Sequence, residues 1–295
     1  MRFWQCISYG HPNECVPLAK TAEAADFDGL TLAEHIFYPL RMQSKHPYSL
    51  PDTPAFEHDC LWAELWTSFA AMAAVTERLL FASAVQVLPM HNPFYVAKAL
   101  GNLAHLSNNR VVLGSGAGWM REEFEAFGID FSTRAKRYDE SIALLRALWR
   151  GGPVDFPGEF FQCSQVVMLP PPTKPIPIWI GGKTEVALRR AARLGDGWMG
   201  TGETLEESLP LINRLQELRK EYGRDHLPFS IMTIQSWGTY SDDDMARMQR
   251  AGVTDIVNWT FPFSMGVPNP SLAQKEDYLL ATGAAIRERF GWGGN

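Results

Sequence analysis

The chain has 295 residues, 46% of them hydrophobic, and its 27 Lys plus Arg against 33 Asp plus Glu leave a net charge of −6. That balance argues against a general affinity for nucleic acid or an anionic membrane, both of which need a basic face. The length suits one α/β barrel, which takes about 250 residues, and no run approaches the ~20 apolar residues that span a bilayer.

Met1–Gly10 reads as the entry to a first strand, Phe3–Tyr9, rather than as a signal peptide, so a cytoplasmic protein is expected. The cysteines Cys6, Cys15, Cys60 and Cys163 form no CxxC pair and no zinc spacing, which points to free thiols in a reducing compartment. Glu14–Ala25 has helical apolar spacing, and Gly29 separates it from a second strand, Leu30–Ala33, that ends in Glu34–His35. Phe37–Cys60 holds Pro39, Pro47, Pro51 and Pro54. A loop of that length in a compact domain is either a lid or binding loop, or a surface insertion.

Leu61–Thr76 predicts a helix, Leu79–Leu88 a strongly apolar third strand, and Pro93 opens a helix to His105 in a favoured first-turn position. Arg110–Leu113 is the fourth strand. Gly114, Gly116 and Gly118 then alternate with Ser115 and Ala117, before Glu122, Glu123 and Glu125 at the positive end of a helix. Bare backbone between strand and helix brings main-chain N–H groups close to something flat or phosphorylated, or else makes a tight turn with no ligand.

Arg134–Trp149 has one apolar helical face, and Gly151–Pro175 is extended, with a hairpin expected. The fifth strand, Ile176–Ile180, leads into Gly181-Gly182-Lys183-Thr184 and a helix over Glu185–Leu194, capped by Gly195. Strands follow at Asp196–Gly200, Phe229–Trp237 and Val253–Thr260, with helices at Leu205–Tyr222, Asp242–Ala251 and Leu272–Phe290. Eight strand–helix repeats predict an α/β fold, a (β/α)8 TIM barrel forming a single domain over 1–295. It carries an inserted loop after strand 2 and a hairpin insertion before strand 5. A doubly wound open sheet competes, but at this length it needs fewer strands or a second domain.

Barrel sites lie at the C-terminal strand ends. Those ends are aromatic and hydrogen-bonding but short of carboxylates, with Glu34 the only acid immediately at one in the first half, which disfavours a paired-carboxylate hydrolase. The histidines at 11, 35, 46, 58 and 91 show no i, i+4 ligand pair, so no metal is expected. Gly181–Thr184 suits a phosphate through exposed N–H groups, the following helix end, a lysine and a hydroxyl. A plain turn with Thr184 as N-cap is the alternative.

Three segments, LPMHNPFYVAKAL, LGSGAGWMREEFEAFGIDFSTRAKRYDESIALLRALW and PPPTKPIPIWIGGKTEVALRRAARLGDGW, resemble the bacterial luciferase-like flavin-dependent superfamily. Within it they most resemble the oxidoreductases that use the deazaflavin coenzyme F420. The resemblance implies a (β/α)8 barrel and catalytic candidates Glu34 and His35 beside the reactive edge of the deazaflavin. F420-using members commonly carry Asp-His there, and some FMN-using members Glu-His. It implies a non-proline cis peptide and bulge at Ala84–Val85 behind the ring, with Ser115, Gly116 and Ala117 along the ring or its ribityl chain. It places Gly181, Gly182, Lys183 and Thr184 on the cofactor phosphate. Some sugar-phosphate dehydrogenases of the family place a catalytic glutamate after the fourth strand. This chain has only Gly, Ser and Ala there, so that substrate is not expected.

His35 is the expected acid/base, because an imidazole titrates near neutrality. Tyr9, His11, Tyr38 and Trp237 are the expected substrate contacts. The activity implied is hydride transfer between F420 and a small organic substrate. The alternatives are a two-component monooxygenase using FMNH2 and oxygen on an apolar substrate, and a non-catalytic flavin-binding member. Family members are commonly dimers, so a homodimer is expected.

Overall fold

Short apolar strands alternate with amphipathic helices throughout, and a computed structural model describes residues 1–47, 56–235 and 240–290. The strands are β1 (Arg2–Cys6), β2 (Gly29–Leu32), β3 (Leu80–Ser83), β4 (Gln86–Val87), β5 (Val111–Gly116), β6 (Val154–Pro157), β7 (Gln162–Val166), β8 (Ile178–Gly181), β9 (Gly197–Met199), β10 (Ser230–Gln235) and β11 (Asp255–Asn258). The main sheet runs β3-β2-β1-β11-β10-β9-β8-β5 with every pairing parallel, and β5 returns to β3 through Phe81↔Val111 and Ala82↔Val112. The eight-stranded barrel is therefore closed. β4 continues β3 beyond an Ala84–Val85 peptide that is cis, and among the described residues it pairs only with β5. The single third strand read from the sequence is thus two strands joined at that bulge.

The helices are α1 (Cys15–Ala24), α2 (Leu65–Ala73), α3 (Pro93–Leu106), α4 (Arg121–Ala126), α5 (Arg134–Leu148), α6 (Glu185–Leu194), α7 (Leu205–Glu221), α8 (Asp242–Ala251), α9 (Phe261–Met265) and α10 (Leu272–Phe290). The expected hairpin is present, with β6 antiparallel to β7. The expected helix start at Leu61 moves to Leu65, because Glu64 caps it by accepting the N–H groups of Trp66 and Thr67. Gly195 does end α6, but in an extended conformation and not the left-handed cap that glycine usually supplies. A Cβ there would lie 2.8 Å from the Ala191 carbonyl oxygen, so close approach explains the glycine. No helix among the described residues is long and apolar enough to cross a membrane.

Two cores result. The larger lies between strands and helices; the smaller fills the barrel with Trp4, Ala82, Val112, Trp179, Met199, Met232 and Val257. Trp4 and Trp179 fit because Gly29 and Gly197 face them, where an added Cβ would meet the rings at 2.2 and 2.4 Å. Trp4 Nε1 donates to Asp255 at 2.7 Å, and Arg2 pairs with the same carboxylate, which satisfies the buried charge at the N-terminal end. At the other end the partly exposed Cys6, Ala84, Val85 and Ile234 pack on this core. They form an apolar floor for the C-terminal mouth.

Candidate active site

Val85 is the residue around which the mouth is built. A Cβ on Gly116 would fall 2.8 Å from Val85 Cγ2, and one on Gly181 would fall 3.0 Å from Val85 Cγ1. Gly114 has even less room, because its Cβ would overlap the Ser83 carbonyl oxygen at 1.8 Å. The bare stretch at the end of β5 therefore has a reason internal to the protein: it receives the bulge that joins β3 to β4. Gly116 and Gly181 lie against the Ala84–Val85 bulge, so these cofactor candidates are brought together. Ser115 is fully buried, its hydroxyl meets the Tyr138 hydroxyl at 2.7 Å and its backbone is paired with β4 and β8, so it lies behind the mouth and not on its surface. Ala117 is half-buried beside it.

Glu34 and His35 follow β2 and diverge. Glu34 is buried, and its Oε2 accepts the Val87 N–H at 3.0 Å and meets His91 Nε2 at 2.9 Å. It therefore ties β4 to the β2 end. Burial alone would lower the His91 pKa, but the hydrogen bond and charge of Glu34, with Glu64 and Glu123 behind it, raise it. His35 turns to the opposite partner: its Nδ1 lies 3.1 Å from Glu123 Oε2, while Glu123 Oε1 accepts the Ile36 N–H at 2.8 Å.

Glu123 is the functional residue that the sequence reading missed. It was placed among helix-terminal acids, and the mouth was expected to be short of carboxylates. A signal was available, since Met120, Glu123 and Phe124 share one face at helical spacing, and Met120 and Phe124 are fully buried. A charged residue on a buried face needs a partner.

An aromatic cluster surrounds His35, with ring centroids of Phe56 at 4.5 Å, Trp62 at 4.8 Å and Trp119 at 5.6 Å. Tyr9 stacks edgewise on Trp62 at 5.0 Å, and Tyr38 on Phe56 at 5.6 Å, so both substrate candidates join this cluster. Burial, with Cys6 and Cys60 nearby, pushes the Tyr9 hydroxyl pKa up, so it stays protonated. His46 stands 5.0 Å from Trp119, and burial and the charge of His35 lower its pKa. His11 is exposed and its Nδ1 accepts the Asn13 N–H, capping a short 3-10 helix. Trp237 lies outside the described residues.

At the β8 end, Gly182 has a positive φ of 117° and its carbonyl accepts Trp198 Nε1–H at 2.8 Å. Thr184 caps α6 by accepting the Ala187 N–H at 3.3 Å. Lys183 Nζ is 3.7 Å from Glu203, a buried acid that also accepts the Thr201 N–H at 2.8 Å. Lys183 itself remains partly exposed, and an ion pair of that length is weak.

Glu122 holds the rim. Its Oε1 accepts the N–H groups of Gln43 at 2.6 Å and Ser44 at 3.0 Å. Burial would raise its pKa, but these bonds and the Ser44 hydroxyl outweigh that and bring it down to about 2. A carboxylate with a depressed folded-state pKa stabilises fully above its unfolded value of about 4.3 and loses that contribution as pH falls through the folded value. Hydrogen exchange at the Gln43 and Ser44 amides, corrected for intrinsic rates, should therefore accelerate between about pH 4 and pH 2. Unchanged protection at pH 2 would show that Glu122 does not hold the loop.

The family model described as luciferase-like monooxygenase matches residues 2–287. The chain belongs to the luciferase-like monooxygenase family. A Mycobacterium tuberculosis protein that carries no assigned activity is 41% identical over 261 residues, covering 88% of this chain and 90% of its own. An F420-dependent glucose-6-phosphate dehydrogenase of Amycolatopsis mediterranei is 27% identical over 305 residues, covering 92% of this chain and 86% of its own. Among solved structures, an F420-dependent secondary alcohol dehydrogenase in complex with an F420–acetone adduct superposes with a TM-score of 0.74. It is 16% identical and covers 97% of this chain and 99% of its own. At that identity the likeness concerns the fold, the (β/α)8 barrel of luciferase-like enzymes.

Proposed function

We propose that this luciferase-like protein is an F420-dependent oxidoreductase acting on a small organic alcohol or the corresponding carbonyl compound. The observation that carries this reading is His35, an imidazole among aromatic rings at the barrel mouth with Nδ1 on a buried carboxylate. Interconverting an alcohol and a carbonyl moves a hydride and a proton, and His35 is placed for the proton. The F420-dependent glucose-6-phosphate dehydrogenase among the relatives supports the cofactor assignment.

The residues present fit the coenzyme. Cys6, Ala84, Val85 and Ile234 offer an apolar floor, and Lys183 and Thr184, at the start of α6, offer donors for a phosphate, with Gly181 and Gly182 shaping the turn before them. When bound, F420 accepts or supplies the hydride. The chain's own task is then to orient the substrate and exclude water, through Tyr9, Tyr38, Phe56, Trp62 and Trp119, and to exchange the hydroxyl proton at His35. A sugar phosphate is not the proposed substrate, because Gly, Ser and Ala stand after the fourth strand, where some sugar-phosphate dehydrogenases of the family place a catalytic glutamate. A second reading, an FMNH2-dependent monooxygenase, is favoured by Glu34 where F420-using members commonly carry aspartate.

Titration of the purified protein with F420 and with FMN, without oxygen, separates the two. F420 should bind at least about tenfold more tightly, a difference of ~1.4 kcal/mol. Tight FMN binding without F420 affinity would replace the first reading with the second.

A further inference from the structure

The Glu123 carboxylate is 1% exposed, and each of its oxygens meets a different group: Oε1 the Ile36 N–H at 2.8 Å, Oε2 the His35 Nδ1 at 3.1 Å. A buried charge is tolerated when its oxygens are hydrogen-bonded, and an unmade bond to one costs on the order of 1–3 kcal/mol or more. Ile36 supplies one donor. Among the described residues, the donor facing Oε2 is Nδ1, and a bare Nδ1 lone pair there would repel the carboxylate. Opposite an ionised Glu123, Nδ1 carries its proton in both the neutral and the cationic ring, and the nitrogen left to gain and lose a proton is Nε2.

We propose that Glu123 is a positioning residue that fixes His35 in the Nδ1-protonated tautomer and leaves Nε2 as its proton-exchanging atom. Three features make the arrangement rigid. Ile36 follows His35 directly, so one carboxylate grips both the ring and the chain that bears it. Phe56, Trp62 and Trp119 confine the ring. The neighbouring pair does not compete, because Glu34 Oε2 is already engaged by Val87 and His91. The proposal rests on the reading of His35 as the proton-transfer group, but its central claim, the tautomer, can be measured without cofactor or substrate.

The test is Glu123→Gln, which keeps shape but replaces two acceptors with one acceptor and one donor. The amide carbonyl can serve the Ile36 N–H only by turning its NH2 toward Nδ1, which must then accept, so the proton moves to Nε2. In the unsubstituted protein the His35 ring nitrogens should give the 15N signature of a protonated Nδ1, and in Glu123→Gln that signature should reverse. Turnover should fall by about 10³-fold or more, as expected when a catalytic imidazole is held in the wrong tautomer. F420 affinity should change by less than about threefold, which shows that the fold is kept. Glu123→Asp retains a carboxylate and should keep the original signature and recover at least about tenfold of the lost turnover.

An unsubstituted ring protonated at Nε2 would overturn the proposal, as would Glu123→Gln turnover within about threefold of the parent. If Glu123→Gln does not fold, the parent tautomer and the aspartate variant decide. Failure of the F420 reading would appear separately, as absent turnover by the unsubstituted protein.

Discussion

His35→Ala is expected to lower turnover by about 10³-fold while F420 affinity changes less than about threefold. The size follows from what general acid–base catalysis contributes, typically 10²–10⁴-fold, and from the lack of a replacement at the same place. His91 is engaged by Glu34, and burial, which persists when His35 is removed, disfavours a proton on His46. Alanine also strips Glu123 of a donor while leaving it buried, at a cost of about 1–3 kcal/mol, so a loss of activity alone would not separate chemistry from stability. His35→Asn makes that separation. The asparagine amide can reach the position of Nδ1 and donate to Glu123, but it has nothing at the position of Nε2. The asparagine variant should therefore match alanine in turnover and lie closer to the parent in thermal stability. If either variant retains more than about a tenth of parental turnover at saturating cofactor, His35 is not the proton-transfer group.

The barrel was readable from the chain because its signal is repetitive: eight apolar strands, each followed by an amphipathic helix, leave few other ways to bury so much surface. α6, α8 and α10 fall on the residues that their periodicity predicts. Legibility failed where one contact between distant segments decides the local structure. β3 and β4 read as one apolar run, because nothing in Ala84–Val85 itself announces a break, although the family resemblance does. The glycines at 114 and 116 suit a ligand surface or a tight turn equally well from the sequence, and their nearest neighbours are Ser83 and Val85. Glu123 looked like a helix-terminal charge because its partner lies 88 positions away. His11, an expected substrate contact from its strand-end position, caps a short 3-10 helix through a contact that the strand pattern does not announce. Function-bearing pairs of this kind are long-range, and local periodicity does not encode them.

Gly114→Ala is expected to destabilise the protein by more than about 4 kcal/mol, or to prevent its recovery in folded form, although it adds one methyl group. The reason lies at the barrel's closing seam. β3 and β5 meet through only two register pairs, Phe81↔Val111 and Ala82↔Val112, and the next residues on each side are Ser83 and the segment containing Gly114. A Cβ on Gly114 would lie 1.8 Å from the Ser83 carbonyl oxygen and 2.6 Å from Met199 Sδ. Met199 can change rotamer, but the Ser83 carbonyl is backbone and can move only by separating the strands. That separation would also break the bond from Ser83 Oγ to the Gly114 carbonyl, now 2.7 Å long. Two neighbours calibrate the effect. Gly116→Ala meets a side chain, Val85, at 2.8 Å and should cost about 1–3 kcal/mol, the usual range for overpacking. Gly128→Ala meets nothing within 4 Å and carries only the strain of a φ of 67°, about 1 kcal/mol. Urea denaturation of the three variants should rank them 114, 116, 128 in order of loss. Equal losses at 114 and 128 would mean that the seam does not set the need for glycine within β5.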